Sequence, residues 1–225
     1  MATFNEIQYS IREGIKAYSD DHEASNEYLI YLFNLKRSKY LKQRLDRLGR
    51  NYDNITLQTL CLSIEEVSSE TCGLNLTCDK IYRTTKPAPN FLQLSTGSAI
   101  QRVGPADKLS TTYNIIGKEQ APLFEHSYFT NKIKTFLDVD GYLYFLSTEP
   151  IFTECVTITG VFENPLDLRN YQECCDCDDS NICFSDDDQY PITPELIDLI
   201  RIEIIQELLK LSNPLLEDKD NNSDD

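Results

Sequence analysis

The stretch Y-P-I-T-P-E-L-I-D-L-I-R-I-E-I-I-Q-E-L-L-K-L, Tyr190 to Leu211, decides how the rest of the chain is read. Its opening is that of a helix. Thr193 can cap, Pro194 fits the first helical position, where its missing N–H costs nothing, and Glu195 complements the positive end of the dipole. Ten of the eighteen residues from Pro194 to Leu211 are Leu or Ile. So many apolar positions cover more than one stripe of a helix, and a surface helix tolerates only one. The segment must be enclosed, by other helices of the chain or by another subunit.

Candidates for that role stand at the other end of the sequence. In T-F-N-E, Thr3 and Glu6 form a capping-box pattern, and Phe4, Ile7, Ile11 and Ile15 recur at helical spacing to about Ala17. After a polar connection, Ser25 is a second cap. From Asn26 to Leu48 the set Leu29, Leu32, Phe33, Tyr40, Leu41, Leu45 and Leu48 predicts a long amphipathic helix, with Gly49 at its C-terminal cap.

Between these ends the period changes from helical to alternating. I-T-L-Q-T-L-C-L-S-I, D-K-I-Y-R-T-T, S-A-I-Q-R-V, L-S-T-T-Y-N-I-I and E-C-V-T-I-T-G-V-F are short, β-branched and aromatic segments set off by Gly or Pro. In K-I-K-T-F-L-D-V-D-G-Y-L-Y-F-L the pair Asp140-Gly141 suits a type I′ hairpin turn. The expected fold class is α+β: a helical bundle of two N-terminal helices and one C-terminal helix, with a β-sandwich or barrel-like domain inserted. The expected divisions are a helical pair over 1–50, a β-rich domain over 51–165, an acidic Cys-rich linker over 166–192, and the last helix with a polar tail over 193–225.

No run approaches the about 18 apolar residues of a membrane span, and M-A-T-F-N-E-I-Q does not resemble a secretory signal. The eight cysteines are therefore expected as thiols. The net charge is −16, of which Glu163 to Asp225 carries −14. Such acidity argues against a free-standing nucleic-acid binder. Against it stands Lys36 to Arg50, with seven basic residues (Lys36, Arg37, Lys39, Lys42, Arg44, Arg47 and Arg50) and one acid, Asp46. That stripe is either a solvated face paired with neighbouring acids or a surface for DNA phosphates, which needs only Lys and Arg.

E-C-C-D-C-D-D-S-N-I-C, Glu173 to Cys183, resembles a metal site more than anything else in the chain. Cys174 and Cys177 have the C-x-x-C spacing of a zinc pair, but a second pair is missing and neither His22 nor His126 is near in sequence. The reading favoured is an acidic linker without a metal or other cofactor. A zinc-stabilised interaction module built on Cys174, Cys175, Cys177 and Cys183 is the alternative. No phosphate-binding glycine loop appears, and Glu125-His126-Ser127, as sequence neighbours, are no evidence of a triad, so a hydrolase ranks last.

V-T-I-T-G-V-F-E-N-P (Val156 to Pro165), then an acidic loop, then Y-P-I-T-P-E-L-I-D-L-I (Tyr190 to Ile200) and the closing N-P-L-L-E-D-K-D-N-N follow in a characteristic order. With L-K-R-S-K-Y-L-K-Q-R in the second helix, this order resembles the head–tail connector ring proteins of crAss-like short-tailed bacteriophages, and more distantly the adaptor called tubular tail protein A. The resemblance implies a virion structural protein without a reaction to catalyse. It implies a homo-oligomeric ring, a dodecamer, at the portal–tail junction, where it extends and seals the DNA channel and carries the next tail ring. Carried onto this sequence, it makes the last helix and its tail the element that docks to portal or neighbour, with Tyr190, Pro191, Leu196, Ile197, Ile200, Ile204 and Leu208 as contacts. It sets the stripe Lys36 to Arg50 against an adjacent subunit or passing DNA.

Overall fold

The computed structural model describes residues 2–17, 24–49, 52–67, 80–106, 111–120, 134–137, 140–147, 154–174 and 188–212. The fold is α+β, with helices from both ends of the sequence and a β-rich region between them. The chain forms two compact units. One comprises residues 1–44 and 186–225, the other 45–185.

The helical unit holds α1 (Phe4–Lys16), most of α2 (Asn26–Leu48) and α3 (Pro194–Ser212). Each start follows from local chemistry. The Glu6 amide donates to Thr3 Oγ1 at 3.2 Å while the Thr3 amide donates to Glu6 Oε2 at 2.9 Å, a complete capping box. The Tyr28 amide donates to Ser25 Oγ at 3.2 Å. Thr193 stands at the N-cap of α3, its carbonyl accepting from the Leu196 and Ile197 amides, and Pro194 occupies the first helical position. At the end of α2, Gly49 takes φ 64°, the left-handed cap that a side chain disfavours. Phe4, Ile7, Ile11 and Ile15 of α1, Leu29, Leu32, Phe33 and Leu41 of α2, and Ile200, Ile204 and Leu208 of α3 are buried. Helices α1 and α3 pack directly, and a Cβ on Gly14 would meet Ile205 Cδ1 at 2.4 Å.

Among the described residues of the β unit, seven strands run in the order β5-β9-β1-β2-β8-β7-β6. These are β1 (Gln58–Val67), β2 (Lys80–Thr84), β5 (Ile100–Pro105), β6 (Asn114–Ile115), β7 (Lys134–Leu137), β8 (Leu143–Ser147) and β9 (Cys155–Gly160). A small hairpin, β3 (Gln93–Leu94) with β4 (Gly97–Ser98), stands beside them in sequence. The long strand β1 serves two neighbours: Gln58 to Ser63 pairs with β9, and Ile64 to Val67 pairs with β2. Central β8 is buried from Leu143 to Leu146 without alternation, as a strand covered on both faces requires. Ile81, Tyr144 and Leu146 form one core cluster, and Phe91 meets Phe162 with ring centroids 4.6 Å apart.

Two expectations about this region are corrected. Pairing of Leu137 with Leu143 centres the reversal on Asp140, so the β7–β8 connection has an odd number of residues and is not a two-residue type I′ turn. Gly141 still takes a positive φ of 81°. The stretch read as a linker from 166 begins instead as 3₁₀ turns over Pro165–Cys174 that pack on β1, with Leu168 buried. Residues 175–187 lie outside the described residues. Among the described residues, no helix is long and apolar enough to cross a membrane.

Candidate docking site

The helical unit is closed by a strap. Residues Gln189 to Ile192 lead into α3, and Gln189 bridges Thr3 while the Tyr190 amide donates to the Ala2 carbonyl at 3.2 Å. The N-terminal residues and the segment that precedes α3 thus meet through the backbone. Tyr190 is 0% exposed: its ring stacks on Phe4 at 5.1 Å and meets Phe33 edge-on at 5.4 Å. Its hydroxyl donates to Asn34 Oδ1. Arg37, also 0% exposed, lies with its guanidinium carbon 5.6 Å from the Tyr190 ring centroid. Its Nε and Nη2 both donate to the Pro191 carbonyl, at 3.1 and 3.0 Å. Burial pushes the Tyr190 phenol up from its ordinary pKa and the Arg37 guanidinium down.

A second set of contacts joins α2 to α3 nearer the surface. Lys36 Nζ sits 3.1 Å from Glu203 Oε1 and 2.7 Å from Glu207 Oε2, and Lys39 Nζ lies 3.6 Å from Glu203. Tyr40 donates its hydroxyl to Glu203 Oε2 at 2.7 Å, and Arg44 Nη1 donates to Thr193 Oγ1 at 3.3 Å. The Tyr40 hydrogen bond, followed by Lys36, holds the Glu203 carboxyl below the usual carboxylate range. The Glu207 hydrogen bond raises Lys36 against a smaller opposing effect of burial.

The residues expected to dock divide in an unexpected way. Tyr190, Pro191, Ile200, Ile204 and Leu208 are buried within the helical unit, and Leu196 and Ile197 are half-buried. Their apolar surface is already used in holding α3 to α1 and α2. What α3 turns outward is its other flank, with Leu199 45% and Ile202 52% exposed beside Glu195 and Asp198. Helix α2 has an outward flank of its own, where Tyr31 is 60% and Leu35 51% exposed, along with Tyr28.

The basic stripe also divides. Arg37 is no surface cation: it sits among Phe33 and Leu41, four residues to either side, and that spacing could have identified it as inward. Lys36, Lys39 and Arg44 hold partners on α3 or its cap, the partnered-face reading of the stripe. Lys42 and Arg47 are exposed, and Arg50 lies outside the described residues. Glu203 and Glu207, missed in the sequence, had a signal in their i, i+4 spacing, which matches that of Lys36 and Tyr40.

The thiol cluster beyond Cys174 and the residues Glu125, His126, Ser127 and His22 lie outside the described residues. Among the described residues, no group of three or more His, Cys, Asp or Glu could hold a metal ion. Cys61 and Cys155 are thiols outside any disulfide, on the adjacent strands β1 and β9.

Comparison with known proteins gives two results. The family profile described as phage tail ring protein 2 matches residues 6–225. Ring protein 2 of Bacteroides phage crAss001 is similar over nearly the whole length, 27% identical over 229 residues, covering 99% of this chain and 97% of the relative.

Proposed function

The chain belongs to the phage tail ring protein 2 family and is a structural component of the phage tail, and on that premise we propose that its copies close a connector ring between portal and tail. In this reading the ring is a dodecamer at the portal–tail junction that extends the DNA channel, seals it after packaging, and offers its far side to the next tail ring. The observation that carries the reading is the outward flank of α3. Its inner flank is occupied by α1 and α2, yet Leu199 and Ile202 remain exposed next to each other on one turn of helix. Isolated exposed apolar residues are ordinary, whereas a contiguous apolar patch rimmed by charge marks a surface for another protein.

The charge distribution supports passage of DNA as well. Four of the seven cations in the stripe, Lys36, Arg37, Lys39 and Arg44, already hold partners within the helical unit, which breaks up a continuous phosphate track. With a net charge of −16, the ring presents little that would hold DNA in place, so the duplex slides.

Mass measurement of the purified chain, alone and mixed with portal, tests the reading. The expected result is a multiple of the 25.9 kDa chain that grows to a fixed stoichiometry on portal. A single copy under both conditions, together with absence of the chain from purified virions, overturns it.

A further inference from the structure

A ring made by repeating one contact needs two different faces on every copy, each fitting the other. The helical unit offers two. The outward flank of α2 runs Tyr28, Tyr31, Leu35, Lys39, Lys42, at spacings of three and four residues that keep them on one side of the helix. The outward flank of α3 runs Glu195, Asp198, Ile202, Gln206, Leu209 at the same spacings, with Leu199 beside them. One flank is apolar at its N-terminal end and basic at its C-terminal end. The other is acidic at its N-terminal end and, apart from Gln206, apolar beyond.

The two flanks match in only one direction. Both helices rise about 1.5 Å per residue. Laid antiparallel with Leu35 opposite Ile202, Lys39 falls opposite Asp198, Lys42 opposite Glu195, and Tyr28 opposite Leu209. Laid parallel on the same anchor, the lysines fall opposite Gln206 and Leu209, while the acids face Tyr28 and Tyr31. Of the two, only the antiparallel arrangement places opposite charges together, with apolar side chains facing each other at 35–202 and 28–209 and the Tyr31 ring over Gln206. We propose that the α2 flank Tyr28–Lys42 of one copy packs antiparallel on the α3 flank Glu195–Leu209 of the next, and that this junction, repeated, closes the ring.

The occupant of each flank is therefore a second copy of this chain, and the proposal rests on the ring reading above. Within the chain Lys39 is shared with Glu203, and Asp198 with Arg201 at 3.3 Å. Among the described residues, neither Lys42 nor Glu195 has a charged partner, so Lys42–Glu195 is the pair that the junction alone satisfies. Exposed ion pairs contribute little to affinity but discriminate strongly against like charges, which is how such a pair sets register.

The test uses the full chain with Lys42→Glu, Glu195→Lys or both, and the concentration at half-assembly read by light scattering. Each single change raises that concentration about three- to tenfold. The double variant restores it, and so does an equal mixture of the two single variants, because alternating copies again bring opposite signs together at every junction. Restoration by the double variant without restoration by mixing means that the pair lies within one chain, and overturns the proposal. A second measurement stands apart from variant effects: a photo-crosslinking amino acid at position 35, in mixed isotope-labelled and unlabelled copies. A link from 35 to the 195–209 segment of another copy supports the junction. Links that reach only other segments, or only the portal, overturn it while leaving the ring reading intact. Wild-type chain that never assembles overturns both.

Discussion

Arg37 is a charge taken wholly out of water, and two effects compete over what its removal would do. Replacing a buried ion by an apolar side chain removes a desolvation cost and is often neutral. Here, however, both donors converge on one carbonyl, that of Pro191, inside the strap that precedes α3. An orphaned buried carbonyl costs about 1–3 kcal/mol, and that loss dominates because methionine or lysine cannot supply the two-pronged donor. Arg37→Met and Arg37→Lys should each lower the stability of the helical unit by about 1–3 kcal/mol, read as a lower urea midpoint at unchanged slope. Equal midpoints for Arg37→Met and wild type would mean that the guanidinium holds nothing together. The sequence showed this residue as one of seven cations. Its inward position was legible only against Phe33 and Leu41 at four-residue spacing, and the partner carbonyl, 154 residues away, was not legible at all.

Among the elements, α1 was the most readable. Its cap, its length and its four buried residues follow from a pattern contained within thirteen residues. The β7–β8 hairpin was less so, because one residue of register is decided by pairing rather than by the Asp-Gly signal. The α2–α3 contact depended on which acids met which bases, and its pH behaviour can now be assigned. The Glu203 pKa is depressed from 4.5, so its interactions with Tyr40, Lys36 and Lys39 contribute stability above that ordinary value and lose it as pH falls through the folded value. The Lys36 pKa is raised from 10.5, so its pairs with Glu203 and Glu207 contribute fully below that value and weaken as pH rises through the folded one. Stability therefore has a plateau between these limits. Glu203→Gln should lower that plateau and flatten the acid limb, measured as urea midpoints between about pH 3 and 6. An acid limb as steep as that of wild type would place the titration elsewhere.

At the scale of the molecule, two compact units with separate cores should melt separately, since a single cooperative transition belongs to a single core. Calorimetry should resolve two transitions, and Tyr190→Ala, which removes the ring packed on Phe4 and Phe33, should lower one by several degrees and leave the other in place. A single transition moved as a whole would mean that the units melt as one. The α+β class was open to sequence reading because the change from helical to alternating periodicity is local. The strand order was not, since β1 finds β9 about a hundred residues later, as in the pairing of Gln58 with Gly160.

The meeting of Thr3 with Gln189 has a consequence during synthesis. On the ribosome, α1 and α2 emerge first, but the strap and α3 that cover them come after the entire β region has been translated. A nascent chain holds Phe4, Ile7 and Phe33 uncovered throughout that interval, while the strands can already pair behind it. Premature termination anywhere before Ile192 would release a polypeptide with an exposed greasy face. Copies carrying such a defect are then sorted toward aggregation and proteolysis before they can be built into a particle.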